Sequence, residues 1–357
     1  MGTLSPLAGP AAPTDHSAIA DEVRPRRLAG APPPDGPYDA DILILALDRA
    51  ADTMEAIDSA LAQTGVRRHV TVIDQGSEPV TIAALTAHIA GRTDAVLWSA
   101  GRNRGVAGGR NLGAALGHGR VIVGLDNDAV FAAGATVAAL VATLDTTPDL
   151  AALGMRILAH ASGRDDLSSW GYPLALLSRA GESFDIAAFV GAGHAIRRTA
   201  WDAAGPYDER LFFCWEEYDF CLRAIAAGWR VRYCGDLAVR HKGAAERRVQ
   251  WSQARWFLYV RNRLLIERKW GASWLRLAPR AAGYVVKGAL GGLGWQGLRA
   301  IGAAARMDPG TDRHRLPPAS VAYLRRVDGQ HRGSWRDRLR REIFVPPGAP
   351  PLGGGSD

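Results

Sequence analysis

The sequence predicts an α/β fold organised around a mostly parallel sheet. Two observations carry this: from Asp41 onward short apolar runs alternate with helical patterns, the signature of strand-helix-strand units. The 357 residues also suffice for one α/β domain of roughly 250 residues with appendages. The first buried strand is read at 42–47 (ILILAL). Residues 53–62 place Met54, Ile57 and Leu61 at helical spacing, and 69–73 (HVTVI) form a second strand ending at Asp74. A helix over 82–90, a strand over 95–99 and a helix over 109–116 follow. The fourth strand, 121–125 (VIVGL), delivers Asp126, Asn127 and Asp128 at its C-terminal end, the edge at which open α/β sheets bind ligands.

The flanks read differently. Residues 1–38 are rich in Pro, Ala and Gly with too little apolar content for a core, and 346–357 (PPGAPPLGGGSD) is similar; both are expected to be disordered. Between them lie a catalytic-type domain, 39–248, and a basic, aromatic-rich helical region, 249–345. From Arg240 to Val345 there are 23 Lys and Arg against 7 Asp and Glu, although the whole chain carries only +7. Such an asymmetry points to an anionic surface or polyanion as partner. Three cysteines without a Cys-x-x-Cys pair exclude a disulfide scaffold and a cysteine zinc site. No secretory signal and no transmembrane run is read, because 281–305 is broken by Lys287, Gln296 and Arg299. The stretch 101–113 lacks both the dinucleotide fingerprint and a phosphate-loop lysine.

Three clusters carry chemistry. Asp126 and Asp128 offer hard oxygen ligands from one turn, suited to Mg²⁺ or Mn²⁺. Alone, such a pair is common on surface turns. Trp215-Glu216-Glu217-Tyr218-Asp219 leads into an amphipathic helix. Acidic residues there also suit the helix dipole, but bulky aromatic neighbours desolvate a carboxylate and favour a general base. His241 follows a strand-like run and is a candidate further metal ligand.

Taken together, in this order and spacing, these segments resemble glycosyltransferase family 2, in particular its rhamnosyltransferase-like bacterial members. The matching pieces are VTVIDQGSEP around Asp74, Asn103-Arg104-Gly105 with Arg110-Asn111-Leu112-Gly113, Asp126-Asn127-Asp128, Val190 to Arg223, and His241. Two departures stand out: Leu47-Asp48-Arg49 ends the first strand, and Glu217 replaces an Asp. The resemblance implies a GT-A fold and an inverting, metal-dependent transfer from a UDP- or dTDP-linked sugar to a glycan or polyprenyl-linked acceptor, in cell-envelope polysaccharide synthesis. By the same resemblance, Asp74, Asn103, Gly105, Arg110, Asn111, Asp126 and Asn127 bind the nucleotide sugar. Asp128, Asp126 and His241 hold Mn²⁺ or Mg²⁺, and Glu217 or Glu216 is the base. Gly191, Gly193, Trp215 and Asp219 lie on the acceptor side, and Arg223 is a candidate to orient the acidic cluster.

In the C-terminal region Trp251, Trp256, Phe257, Tyr259, Trp270 and Trp274 interleave with Arg and Lys. Basic Trp-bearing amphipathic helices lie in membrane interfaces, and equally form ordinary core. The first reading places the protein in the cytoplasm, peripheral at the inner face of the plasma membrane. The rival function is a basic nucleic-acid- or membrane-binding protein with a non-catalytic nucleotide-binding domain. Forty of the 43 basic residues are Arg, in its favour, but it leaves the ordered carboxylates unexplained, so no nucleic-acid partner is expected.

Overall fold

The computed structural model describes residues 24–243, 252–310 and 315–334. The segment 1–23, the expected domain boundary at 248, Trp251 and the tail 346–357 lie outside the described residues. In chain order the elements are β1 (Arg26–Gly30), β2 (Ala40–Ala46), α1 (Ala50–Leu61), β3 (Arg68–Asp74), α2 (Pro79–Ile89), β4 (Ala95–Ser99), α3 (Gly105–Leu116), β5 (Val121–Asp126) and β6 (Ala129–Phe131). They continue with α4 (Thr136–Thr146), β7 (Leu150–Ala159), β8 (Phe184–Asp185), β9 (Gly193–Arg197), α5 (Arg198–Ala204), α6 (Glu216–Ala226) and β10 (Arg230–His241). Four helices close the chain: α7 (Gln253–Lys269), α8 (Trp274–Leu290), α9 (Gly294–Arg306) and α10 (Pro318–Val327).

The strands form one sheet in the order β1-β4-β3-β2-β5-β9-β7-β10-β6, with β8 beside β10. Strands β4, β3, β2 and β5 run parallel, and their near-continuous burial reflects helices on both faces. Helices α1, α2 and α4 cover one face, and α3, α5 and α6 the other. Because β3 and β4 are laid on one side of β2 and β5 on the other, the winding reverses between β2 and β5. That reversal opens a crevice at their carboxyl ends.

Beyond β5 the sheet turns largely antiparallel: β9 pairs against β5 and β7, and β6 against β10. Of the boundaries that differ from expectation, two bear on the site and the sheet edge. Residues 26–30, read as disordered leader, form edge strand β1 against β4 through four cross-strand pairs, with Leu28 and Ala29 packed on the core. The helix expected from Gly109 starts at Gly105, in the left-handed region (φ 71°). A β-carbon on Gly105 would lie 2.2 Å from the Phe212 carbonyl oxygen, so the position requires glycine.

The C-terminal helices have their own core around Trp256, Val260, Leu264, Leu277 and Ala300. A seam of Leu211, Leu222, Leu265 and Ile266 joins them to the sheet domain. Among the described residues no helix is long and apolar enough to cross a membrane.

Candidate active site

The crevice between β2 and β5 gathers the acidic residues. Asp126 ends β5 and Asp128 follows in the tight turn to β6, while His241 ends β10. The antiparallel register sets His241 opposite Ala129, the residue after Asp128, and the Lys242 amide donates to the Asp128 carbonyl at 2.8 Å. Ligand atoms of Asp126, Asp128 and His241 consequently lie within 4.8 Å of one another. The imidazole sits between two carboxylates, Nε2 3.3 Å from Asp128 and Nδ1 3.4 Å from Asp166. Burial opposes its charge, but these carboxylates outweigh it and lift His241 to about 10. Burial likewise opposes the charge on Asp128, which the His241 and Arg49 contacts hold down at about 2.

Two participants escaped the sequence reading. Arg49, left-handed at φ 57°, points across the crevice and donates to Asp128 at 2.7 Å. Asp166, on the loop after β7, completes the His241 clamp. Neither falls in a recognisable motif, because loop closure between distant strands brings them in.

The second half of the site is built on Arg110 of α3, whose side chain is 6% exposed. Its guanidinium donates to Glu217 at 2.7 Å, to Asp126 at 3.1 Å and to the Gly191 carbonyl at 2.8 Å. One cation thus ties the metal-type carboxylates to the α6 carboxylates. A β-carbon at Gly191 would lie 2.2 Å from a Glu217 oxygen, so this glycine makes room for the pair. Behind it, buried His194 bonds the Gly191 carbonyl at 3.0 Å and stacks on Phe189. Since a carbonyl only accepts, Nδ1 carries the proton. Burial, then the charge of Arg110, pushes His194 well below its usual value, so the ring is neutral. Gly124, opposite His194 in β5, leaves space for that ring. A glycine inside an apolar strand is the one sequence signal of this buttress.

Glu216 and Glu217 separate cleanly. Glu216 is buried, with one carboxylate oxygen lacking a hydrogen-bond partner. Burial first, and Glu217 beside it, push its acid well above the usual range, which keeps it protonated. Glu217 lines a cleft of about 660 Å³ walled by Trp170, Phe189, Trp215, Tyr218, Tyr259 and Tyr284, with Arg280 and Lys287 of α8 on the far side.

The loop that delivers this pair is strained: Phe212, Cys214 and Trp215 all have φ between 61° and 75°. Asn262 of α7, fully buried, holds it, its amide donating to the carbonyls of Leu211, Phe213 and Cys214 at 2.7–2.9 Å. The Trp215 indole donates to the Tyr259 carbonyl at 3.0 Å, and Arg263 stacks on its ring. Sequence reading passed over Asn262, which sits between Arg261 and Arg263 and looks like part of an ordinary polar run.

Several expected site residues have other surroundings. Asp219, expected on the acceptor side, is buried against Arg223 at 3.0 Å and Lys269 at 2.7 Å. Two positions along a helix is a turn of about 200°, so Glu217 and Asp219 face opposite ways. Arg223 serves Asp219 and the carbonyls of residues 204–206 rather than the Glu216/Glu217 pair. Gly193 is buried in β9 against Val239 and Met155, beneath the cleft rather than in it. The Asn111 side chain is bonded to both backbone groups of Tyr207. Asp74 is fully buried and accepts the Gly76 and Ser77 amides; its carboxylate shapes the β3–α2 loop. Asn103 caps the Gly105 amide at 2.8 Å, and Asn127 donates to Thr53 at 3.1 Å.

Comparison with known proteins agrees with this architecture. Residues 41–202 match the model of glycosyl transferase family 2. The succinoglycan biosynthesis protein ExoO of Rhizobium meliloti (strain 1021) is 38% identical over 90 residues, a quarter of each chain. Among solved structures, the mannosyltransferase PcManGT of Pyrobaculum calidifontis, in complex with GDP-Man and Mn²⁺, is similar with a TM-score of 0.51 at 17% identity, over 88% of this chain and 87% of its own. GalNAc-T7 with UDP, GalNAc and Mn²⁺ gives 0.52 at 14% identity, over 87% of this chain and 57% of its own. Residues 1–349 of S. aureus TarS give 0.53 at 14%, over 82% and 89%. Residues 41–202 thus match the model of glycosyl transferase family 2, and the mixed α/β sheet that carries them has the GT-A glycosyltransferase fold.

Proposed function

We propose that the protein transfers a sugar, with inversion, from a UDP- or dTDP-linked donor to a hydroxyl of a glycan or polyprenyl-linked acceptor, in cell-envelope polysaccharide synthesis. The observation that carries this reading is the Arg110 bridge, which fixes Glu217 at the cleft and Asp126 in the Asp126/Asp128/His241 triad within one hydrogen-bonded unit.

The triad fits a divalent cation: two carboxylates and an imidazole suit Mn²⁺, and Mg²⁺ less well for its preference for all-oxygen ligation. The Arg49 guanidinium and the charged His241 ring already gather on Asp128, so the site draws positive charge. A bound ion would act as Lewis acid on the leaving diphosphate. Asp128 and His241 would hold it, with Asp126 toward the ribose. Arg49 swings from Asp128 toward the diphosphate. Asp74, through the loop it shapes, and Asn103 and Gly105 form the nucleotide's seat.

On the acceptor side, Trp215 and Tyr218, each with Arg263 over its ring, line the cleft in which the acceptor sugar would sit. Glu217 takes the proton of the attacking hydroxyl, whose oxygen bonds to the anomeric carbon from the face opposite the diphosphate. The bond to the diphosphate oxygen breaks, and nucleoside diphosphate leaves. Arg110 orients Glu217 through their 2.7 Å contact, while Glu216, uncharged, adds no competing base. Glu217→Gln tests the assignment: donor binding persists while transfer falls by about 10² to 10⁴-fold, the usual contribution of general-base catalysis. Unchanged turnover in that variant would remove Glu217 from the chemistry.

A further inference from the structure

The aromatic residues that suggested a membrane contact from sequence are mostly interior: Trp256 is fully buried, and Phe257 and Tyr259 pack against the C-terminal core. The exposed apolar surface lies elsewhere. Six of the ten large hydrophobic side chains exposed among the described residues fall between Trp274 and Leu298, on α8, α9 and the turn joining them. Leu275 is 89% exposed, Trp295 69% and Leu290 55%.

Helix α8 has three distinct faces. Leu277, Ala281 and Gly288 face the helical core, and Arg280, Tyr284 and Lys287, spaced four and three apart, line the Glu217 cleft. The third face, Leu275, Ala282, Val286 and Leu290, recurs at helical spacing, is exposed and carries no polar side chain. It runs into a turn of glycines and Leu293, an uncharged tip that ends at exposed Trp295. From Trp274 to Arg306 the chain has five Arg or Lys and no Asp or Glu. An apolar face with a tryptophan at its tip, flanked by cations only, matches the layered chemistry of an anionic bilayer surface: hydrocarbon beneath, phosphates around. The same charge argues against a second copy seated symmetrically here, since that would set cations against cations with no acid on either segment.

We infer that the outward face of α8, the Gly291–Gly294 turn and the start of α9 seat the protein on an anionic lipid surface, with the Arg280/Tyr284/Lys287 face of the same helix turned to the cleft. This inference stands apart from the transferase reading, since it needs neither donor nor metal.

The test is co-sedimentation of the full chain with vesicles of phosphatidylcholine alone, and with vesicles in which phosphatidylglycerol makes up about a third of the lipid. Wild type is compared with Leu275→Ser/Leu290→Ser/Trp295→Ser and with Arg276→Gln/Arg299→Gln, all at exposed positions; thermal melting verifies that each folds. The expected result is binding at least tenfold stronger to the anionic vesicles, lost in the triple variant and weakened, with less dependence on salt, in the arginine variant. Equal binding of wild type and the folded triple variant would overturn the inference. So would no vesicle binding by wild type, whether the triple variant then abolishes self-association or binding to a single-stranded oligonucleotide.

Discussion

The sheet domain and the C-terminal helices solve opposite problems with the same few residue types. In the sheet domain, charged groups converge inward: Arg110 meets Glu217 and Asp126, and His241 lies between Asp128 and Asp166. In the helices, Arg and Lys flank apolar faces, and the segment from Trp274 to Arg306 carries no Asp or Glu of its own, Arg280 reaching Glu267 of α7 instead. The difference shows where precision is needed. Register fixes the first region, because His241 opposite Ala129 leaves the metal-type triad one arrangement. The second is fixed by faces, so a helix can present one stripe to the cleft and another to its surroundings. Beside the apolar seam that joins them, the strained 212–215 loop held by Asn262 ties the helices to the site.

Substitutions on either side of that junction sharpen the contrast. Arg110→Met has the largest expected effect. It leaves Glu217 and Asp126 without their shared cation and costs about 3–5 kcal/mol, as for a broken buried pair. A melting curve within about 1 kcal/mol of wild type would mean that the inward network is not cooperative. Asn262→Ala comes next, freeing three carbonyls of a strained loop at a cost of about 1–3 kcal/mol. Its signature is kinetic: Glu217 loses its position, so kcat falls while donor binding is retained. A variant that loses donor binding to the same degree as turnover would show that the two regions are not separable in this way.

The sequence disclosed the two regions unequally. Strands β2 to β5 were legible almost residue for residue, since parallel strands buried on both faces are continuous apolar runs. The carboxylates at their ends followed from that. Strand β1 was not, for its five residues combine backbone pairing at an edge with only two core contacts, Leu28 and Ala29. The buttress of Gly124, His194 and Gly191 was hidden too, because it is a cross-strand relation between segments 70 residues apart. Asp219, expected on the acceptor side from the resemblance, is turned away from Glu217 by the helix and held by Arg223 and Lys269. In the C-terminal region amphipathicity was visible, but not which face was buried. Trp256 and Trp295 both lie near the start of amphipathic helices yet have opposite environments, since α7 is covered by its neighbours and the α8–α9 turn is not.

The central claim is that the crevice at β2 and β5 holds a sugar nucleotide through Asp126, Asp128 and His241. The most direct test is thermal stabilisation by UDP-, dTDP- and GDP-sugars with Mn²⁺, measured on wild type and Asp128→Ala, because a ligand bound only by the native state raises its stability. One nucleotide class should stabilise wild type by about 2.7 kcal/mol at a hundredfold excess over its dissociation constant, and EDTA or the substitution should abolish the effect. His241 is held charged up to about 10 and must lose its proton to ligate, so the Mn²⁺ effect should grow as pH rises from neutral toward that value. Stabilisation that is indifferent to EDTA and to Asp128→Ala, or absent with every nucleotide sugar in a folded protein, would contradict the account.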